Sequence, residues 1–188
     1  MTTILRTPWI GSEYHSQKHK VLFVGESHYS KNYFESSSTN ENLTIQCVKE
    51  YCNGDWGNRT WGVLVSQFSK IFSTGNYARK DFFERVAYMN YIQHCMKEPS
   101  DNPFKYFIHN ADYQLHFQNI VNQIQPDVVI LFSKRIDELW SYEGCGITKF
   151  LEDKGIQYFS TGHLSRITSD GKLEIERVIN KIHQCSPK

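Results

Sequence analysis

Apolar positions along the chain follow two different periods. Short apolar-rich runs, Val21 to Val24, Val86 to Ile92, Asp127 to Phe132 and Ile156 to Ser160, read as strands. Between them, apolar residues recur at helical spacing. Trp61, Leu64, Val65, Phe68, Ile71 and Phe72 form one such stripe, with Gly75 near its end. Phe117, Ile120, Val121 and Ile124 form a second, stopped by Pro126. Ile147, Phe150 and Leu151 suggest a third helix, and Ile175, Val178, Ile179 and Ile182 a closing amphipathic one. The polar run Ser36 to Asn40 reads as a surface loop. This succession predicts an α/β fold: a three-layer α/β/α arrangement with a short, mostly parallel four-stranded sheet. No internal repeat or interdomain linker interrupts the pattern, so residues 1–188 are expected to form one domain.

Composition narrows the class without naming a function. The 188 residues are 39% hydrophobic and 14% aromatic, enough for one good core. Lys and Arg number 21 against 20 Asp and Glu, a net charge of +1 that neither demands nor excludes a nucleic-acid partner. The small basic clusters Lys18-His19-Lys20, Arg79-Lys80 and Lys134-Arg135 read, taken alone, as ordinary solvated charges. The amino terminus is polar and no apolar run is long enough to cross a bilayer, so a cytoplasmic protein without a signal peptide or membrane contact is expected. Five cysteines, Cys47, Cys52, Cys95, Cys145 and Cys185, are scattered with no Cys-x2-Cys pair. They read as reduced, mostly buried thiols, and no metal or other cofactor is expected. An iron–sulfur cluster on four of them is the open alternative, with nothing in their spacing to resemble the usual ligand runs.

The chemistry concentrates at strand ends. After Val24 come Gly25, Glu26, Ser27, His28 and Tyr29: a glycine that lets the backbone turn sharply, then a carboxylate, a hydroxyl, an imidazole and a phenol. Asn90 lies within the second strand, and Gly162-His163-Leu164-Ser165-Arg166 follows the fourth. In a parallel sheet the carboxyl ends of the strands share one edge, so residues far apart in sequence can face one crevice. Each residue also has a purely structural reading. Asn90 could satisfy loop backbone groups, His163 could sit in a surface turn, Glu26 could cap a following helix, and Trp61 lies on a helical stripe that favours the core.

Four segments together resemble the uracil-DNA glycosylase superfamily. They are Val21 to Tyr29 as the active-site loop, Arg85 to Tyr91 as the asparagine-bearing strand, Pro126 to Ser133 as the third strand, and His163-Leu164-Ser165 as the carboxy-terminal loop. The likeness spans about Lys20 to Ile167 and rests on the order and spacing of short motifs. It implies a metal-independent, monofunctional enzyme that flips a damaged or modified pyrimidine out of DNA and hydrolyses its N-glycosidic bond. In that picture His163 donates a hydrogen bond to the departing base, and Asn90 reads its Watson–Crick edge. Trp56 or Trp61 stacks on the base, and Gly25, His28 and Tyr29 shape the pocket. Leu164, Ser165 and Arg166 press on the minor groove and hold the phosphates.

Two positions depart from the family pattern. Ser27 stands where some members carry a water-orienting aspartate, which makes Glu26 the expected water-orienting group, and His28 replaces the usual proline. Uracil is the default base, with a modified pyrimidine in foreign DNA as the competing substrate. A monomer acting on DNA is expected. A second class starts from Gly25-Glu26-Ser27, which is similar to the Gly-Asp-Ser start of the SGNH hydrolases. It would make Ser27 a nucleophile and His163 its base. The acid those enzymes place three residues before the histidine is Ser160 here, so the triad would be incomplete. A non-catalytic nucleic-acid-binding module is a third possibility, in which Glu26 would repel phosphate.

Overall fold

The computed structural model describes residues 4–29, 40–55, 57, 59–72, 78–96, 98, 110–142, 145–164 and 168–184. They form a mixed α/β protein with seven α-helices and a mostly parallel sheet of five strands. The strands of that sheet are β1 (Trp9–Ile10), β2 (Val21–Gly25), β4 (Ala87–Asn90), β6 (Val128–Leu131) and β7 (Gln157–Ser160), in the order β1-β4-β2-β6-β7. A second sheet pairs β3 (His28–Tyr29) with β5 (Cys95–Met96). The helices are α1 (Leu43–Asn53), α2 (Arg59–Phe68), α3 (Arg79–Arg85), α4 (Asn110–Ile124), α5 (Lys134–Trp140), α6 (Ile147–Asp153) and α7 (Ser169–Gln184).

All four expected strands are present, and the sheet gains a fifth. β1 forms the edge, antiparallel to β4, with Trp9 opposite Tyr88 and Ile10 opposite Ala87. Two residues are too few to show a strand period, so only the tertiary pairing reveals them. Alternate residues of the central strands enter two separate apolar clusters, as strands covered on both faces must. Leu22, Val24, Met89 and Val129 join α4, α5 and α6 through Phe117, Val121, Trp140 and Leu151. Val21, Phe23, Tyr88 and Ile130 join α1, α2, α3 and α7 through Val48, Leu64, Phe82 and Ile179. The helical stripes seen in the sequence are the faces that pack here. α4 ends at Ile124, one residue before a left-handed Gln125 (φ 47°) and then Pro126, which cannot continue it.

Sequence reasoning did not single out α1, α3 or α5; α1 buries Leu43, Val48 and Tyr51 on one face, and α3 and α5, seven residues each, are too short to show a full period. Gly75 and Ser36 to Thr39 lie outside the described residues. No helix among the described residues is long and apolar enough to cross a membrane. Cys95 and Cys145 are buried and Cys47 and Cys52 half-buried, all four as free thiols. Burial, with Glu50 adding, pushes Cys47 up to about 12, and burial with Glu84 pushes Cys52 up to about 11. Cys185 lies outside the described residues.

Candidate functional site

The strand order sets where a ligand can enter. From β2 the chain crosses to β4 on one side, and from β6 it crosses to β7 on the other. The carboxyl ends of β2 and β6 therefore flank the point where connections diverge, the usual crevice of an open parallel sheet. A cleft of about 1180 Å³ lies there, and its lining includes Glu26 and Tyr29 after β2, Ser133 and Arg135 after β6, and Thr161, Gly162 and His163 after β7. Lys134 and Arg177 add positive charge to its wall, and Asp170 and Glu174 negative charge.

Backbone bonds hold the first loop along the segment that follows β4. The amides of Tyr91 and Ile92 donate to the carbonyls of Gly25 and Glu26 at 2.9 Å each. The pairing of β2 with β4 then resumes as β3 with β5, His28 opposite Cys95. No helix starts at Glu26, so it caps none; it sits between two paired segments.

Glu26 is buried, and both its carboxylate oxygens are occupied. Ser133 Oγ donates to Oε2 at 2.6 Å and Arg135 Nε donates to the same oxygen at 3.0 Å. Arg135 Nη2 and the Tyr29 hydroxyl both donate to Oε1 in short contacts. The guanidinium thus grips the carboxylate with two N–H groups, the fork geometry that suits such a pair. Ser133 does double duty as the N-cap of α5, accepting from the Ile136 amide at 3.3 Å. Burial first, and then the bond to Glu26, raise the Tyr29 phenol above its ordinary value and keep it protonated.

Sequence reasoning missed Ser133 and Arg135 as site residues. A serine just after a strand and three residues before an apolar helix position is an N-cap signal. The Lys134-Arg135 pair was legible only as surface charge, whereas Arg135 is engaged with Glu26 across the switch point.

Asn90 stands beside Gly25 in the register of β2 and β4 and is buried. Its Oδ1 accepts from the Tyr88 hydroxyl at 3.1 Å, and its backbone carbonyl accepts from Gln93 Nε2 at 2.6 Å. A Cβ on Gly25 would fall 2.3 Å from Asn90 Oδ1 and 2.8 Å from the Tyr88 oxygen, so only glycine leaves room. Trp61 belongs to the core, edge-on to Tyr51 and Tyr88, with its indole N–H donating to the Tyr88 oxygen at 3.3 Å.

The remaining candidates divide. His163 is exposed on the cleft wall, and Leu164, though it reaches the lining, is fully buried in the second apolar cluster rather than protruding. Ser27 is buried and lies outside the lining, its hydroxyl directed at the carbonyls of His28 (3.2 Å) and His94. His28 turns away to meet Thr44 Oγ1 at 3.0 Å, and burial, with the Arg6 charge second, pushes its imidazole down to about 3. Trp56, Ser165 and Arg166 lie outside the described residues. Among the described residues no group of three or more His, Cys, Asp or Glu is arranged to hold a metal ion. No protein-family model matches the chain, and no curated protein is similar to it in sequence.

Proposed function

We propose that the chain is a monofunctional DNA glycosylase with a three-layer α/β/α fold, acting as an intracellular monomer on a flipped pyrimidine. The observation that carries this reading is the convergence at one strand edge of Glu26, Tyr29 and His163 on a single cleft, with Asn90 paired beside Gly25 and outside the lining. A cleft of about 1180 Å³ has ample room for a base and its sugar.

In this mechanism the N-glycosidic bond breaks with its electron pair leaving on the base. His163 donates an N–H to the base oxygen on which that charge accumulates, an interaction stronger in the transition state than before it. Water adds to the sugar C1′ and its proton ends on the departed base, so the products are an abasic site and the free pyrimidine. Glu26 takes the role of a positioning group: with donors on both oxygens it fixes Arg135 and Tyr29 on the cleft wall, and water reaches it only by displacing one of them.

A serine esterase built on Ser27 and His163 finds less support, because the Ser27 hydroxyl is committed to backbone carbonyls and does not line the cleft that holds His163. The test is to incubate the protein with DNAs carrying uracil, thymine, cytosine and modified pyrimidines and to score alkali-sensitive abasic sites. One pyrimidine should be released, and His163→Ala should slow its single-turnover release while leaving DNA affinity nearly unchanged. No abasic sites from any DNA would sink the reading, and fluorophosphonate labelling of Ser27 would replace it with the esterase.

A further inference from the structure

Hydrolysis of an N-glycosidic bond develops positive charge on the sugar, and a carboxylate beside C1′ both faces that charge and orients the attacking water. Glu26 is already committed: Ser133 and Arg135 donate to one of its oxygens and Tyr29 to the other. Two more carboxylates, Asp170 and Glu174, line the same cleft from α7. Neither makes a hydrogen bond or an ion pair among the described residues.

The fold accounts for Asp170 but not for Glu174. Asp170 lies in the first turn of α7, where a negative charge suits the helix dipole. Glu174 lies one turn further in, beyond that end effect, with Asp170 as a like charge four residues before it. Arg177, three residues on and also in the lining, forms no ion pair with it. Three other acids on helix surfaces are paired: Glu84 with Lys80 at 3.7 Å, Asp153 with Lys149 at 3.1 Å, and Glu176 of α7 itself with Lys70 at 3.5 Å.

Packing and capping hold α7 so that Glu174 keeps its place. At the start of the helix Thr168 Oγ1 accepts from the Gly171 amide at 3.3 Å, and the Thr168 carbonyl accepts from the Lys172 amide at 3.1 Å. Ile175, directly after Glu174, is fully buried and joins Val178, Ile179 and Ile182 in the second apolar cluster. Asp170, Gly171, Ile175 and Arg177 all reach the cleft, which puts Glu174 midway along the face that α7 turns to it. His163 stands on the same cleft, in the connection that leads from β7 into α7.

We propose that Glu174 is the catalytic carboxylate that orients the attacking water and faces the charge developing on C1′, with Asp170 adding to the negative potential around it. This deepens the glycosylase reading and rests on it. The C1′–N bond breaks with its electron pair on the base, and the water oxygen bonds to C1′ while Glu174 takes one water proton. The carboxyl then gives that proton to the departed base, and the carboxylate is restored. One continuous stretch of chain thereby supplies the group for the leaving base, His163, and the group for the sugar, Glu174.

The experiment measures single-turnover base release and DNA affinity on the DNA of the pyrimidine panel that the wild-type protein cleaves. Glu174→Gln should slow release by about 100-fold or more, with affinity unchanged or tighter because a charge that repels phosphate is gone. Glu176→Gln, on the same helix but outside the lining, should keep both. Glu174→Ala, an exposed position given a good helix former, should be slow alone and regain at least about tenfold in sodium formate, the small carboxylate taking the vacated place. A merely structural role gives no such rescue. Release within about threefold of wild type in Glu174→Gln, or a slow Glu174→Ala that formate leaves slow, overturns the proposal and leaves the glycosylase reading standing. Release of no base from any DNA by the wild type overturns that reading and the role of Glu174 with it.

Discussion

Removing the more exposed partner of the Glu26–Arg135 pair should destabilise the protein more than removing the buried one. The Arg135 side chain is 36% exposed and that of Glu26 only 4%. With Nε 3.0 Å from Oε2, the charge centres lie roughly 4 Å apart, which gives about 4 kcal/mol of attraction at an effective dielectric of 20. Solvent at the Arg135 end screens this to about 1–3 kcal/mol. Arg135→Met leaves a buried carboxylate held by two neutral hydroxyls, Tyr29 and Ser133, and should cost about 2–4 kcal/mol. Glu26→Gln leaves a guanidinium that water can reach, and should cost about 1–2 kcal/mol.

The double variant should recover part of the sum, with a coupling energy of about 1–3 kcal/mol. Urea unfolding of the four proteins at one pH and low salt measures all three quantities. A coupling below about 0.5 kcal/mol, or a Glu26→Gln protein less stable than Arg135→Met, would refute the argument. The same variants separate two roles for Glu26. A positioning group loses base release in both, whereas a water-orienting base would lose it in Glu26→Gln and largely keep it in Arg135→Met.

Gly25→Ala should lower stability by about 2–4 kcal/mol, from overpacking against Asn90 and Tyr88 together with loss of their hydrogen bond. Gly62→Ala, in α2 with nothing closer than the Tyr51 hydroxyl at 4.0 Å, is the control and should stabilise by about 0.5–1 kcal/mol; thermal melts in which the two variants behave alike would discount the close approach at Gly25. His28 predicts the acid limb of the stability curve. Its folded imidazole, pushed down to about 3, stays neutral while the unfolded one takes up a proton below about 6.5. The unfolded state therefore binds more protons between those values, and stability should fall as pH drops through that window by up to about 1.4 kcal/mol per pH unit. His28→Gln, which can still meet Thr44, should flatten that slope in denaturation curves run from pH 7 to pH 4, and an identical slope would remove His28 as its source.

The order of elements was legible in the sequence because it depends on local period. Val21 to Val24 and Val128 to Leu131 are apolar at every position, as strands covered on both faces have to be, and α2, α4, α6 and α7 each show the stripe that packs. The glycine turn into Glu26, the asparagine in a strand and the histidine after the last strand were legible for the same reason: each is chemistry placed at an element end. What neighbours those residues was decided only in three dimensions. Arg135 looks like any surface cation until β6 is laid beside β2, a register fixed by Val21 opposite Val128 and Val24 opposite Leu131. That register alone brings its guanidinium to Glu26 and turns an expected water-binding carboxylate into an occupied one. Likewise β1 shows no period over two residues, and the direction of the Asn90 amide depends on Tyr88 and Trp61, which come from β4 and α2. Period is a property of a segment and survives in the sequence, whereas partner and orientation are properties of pairs that only packing brings within a hydrogen bond of each other.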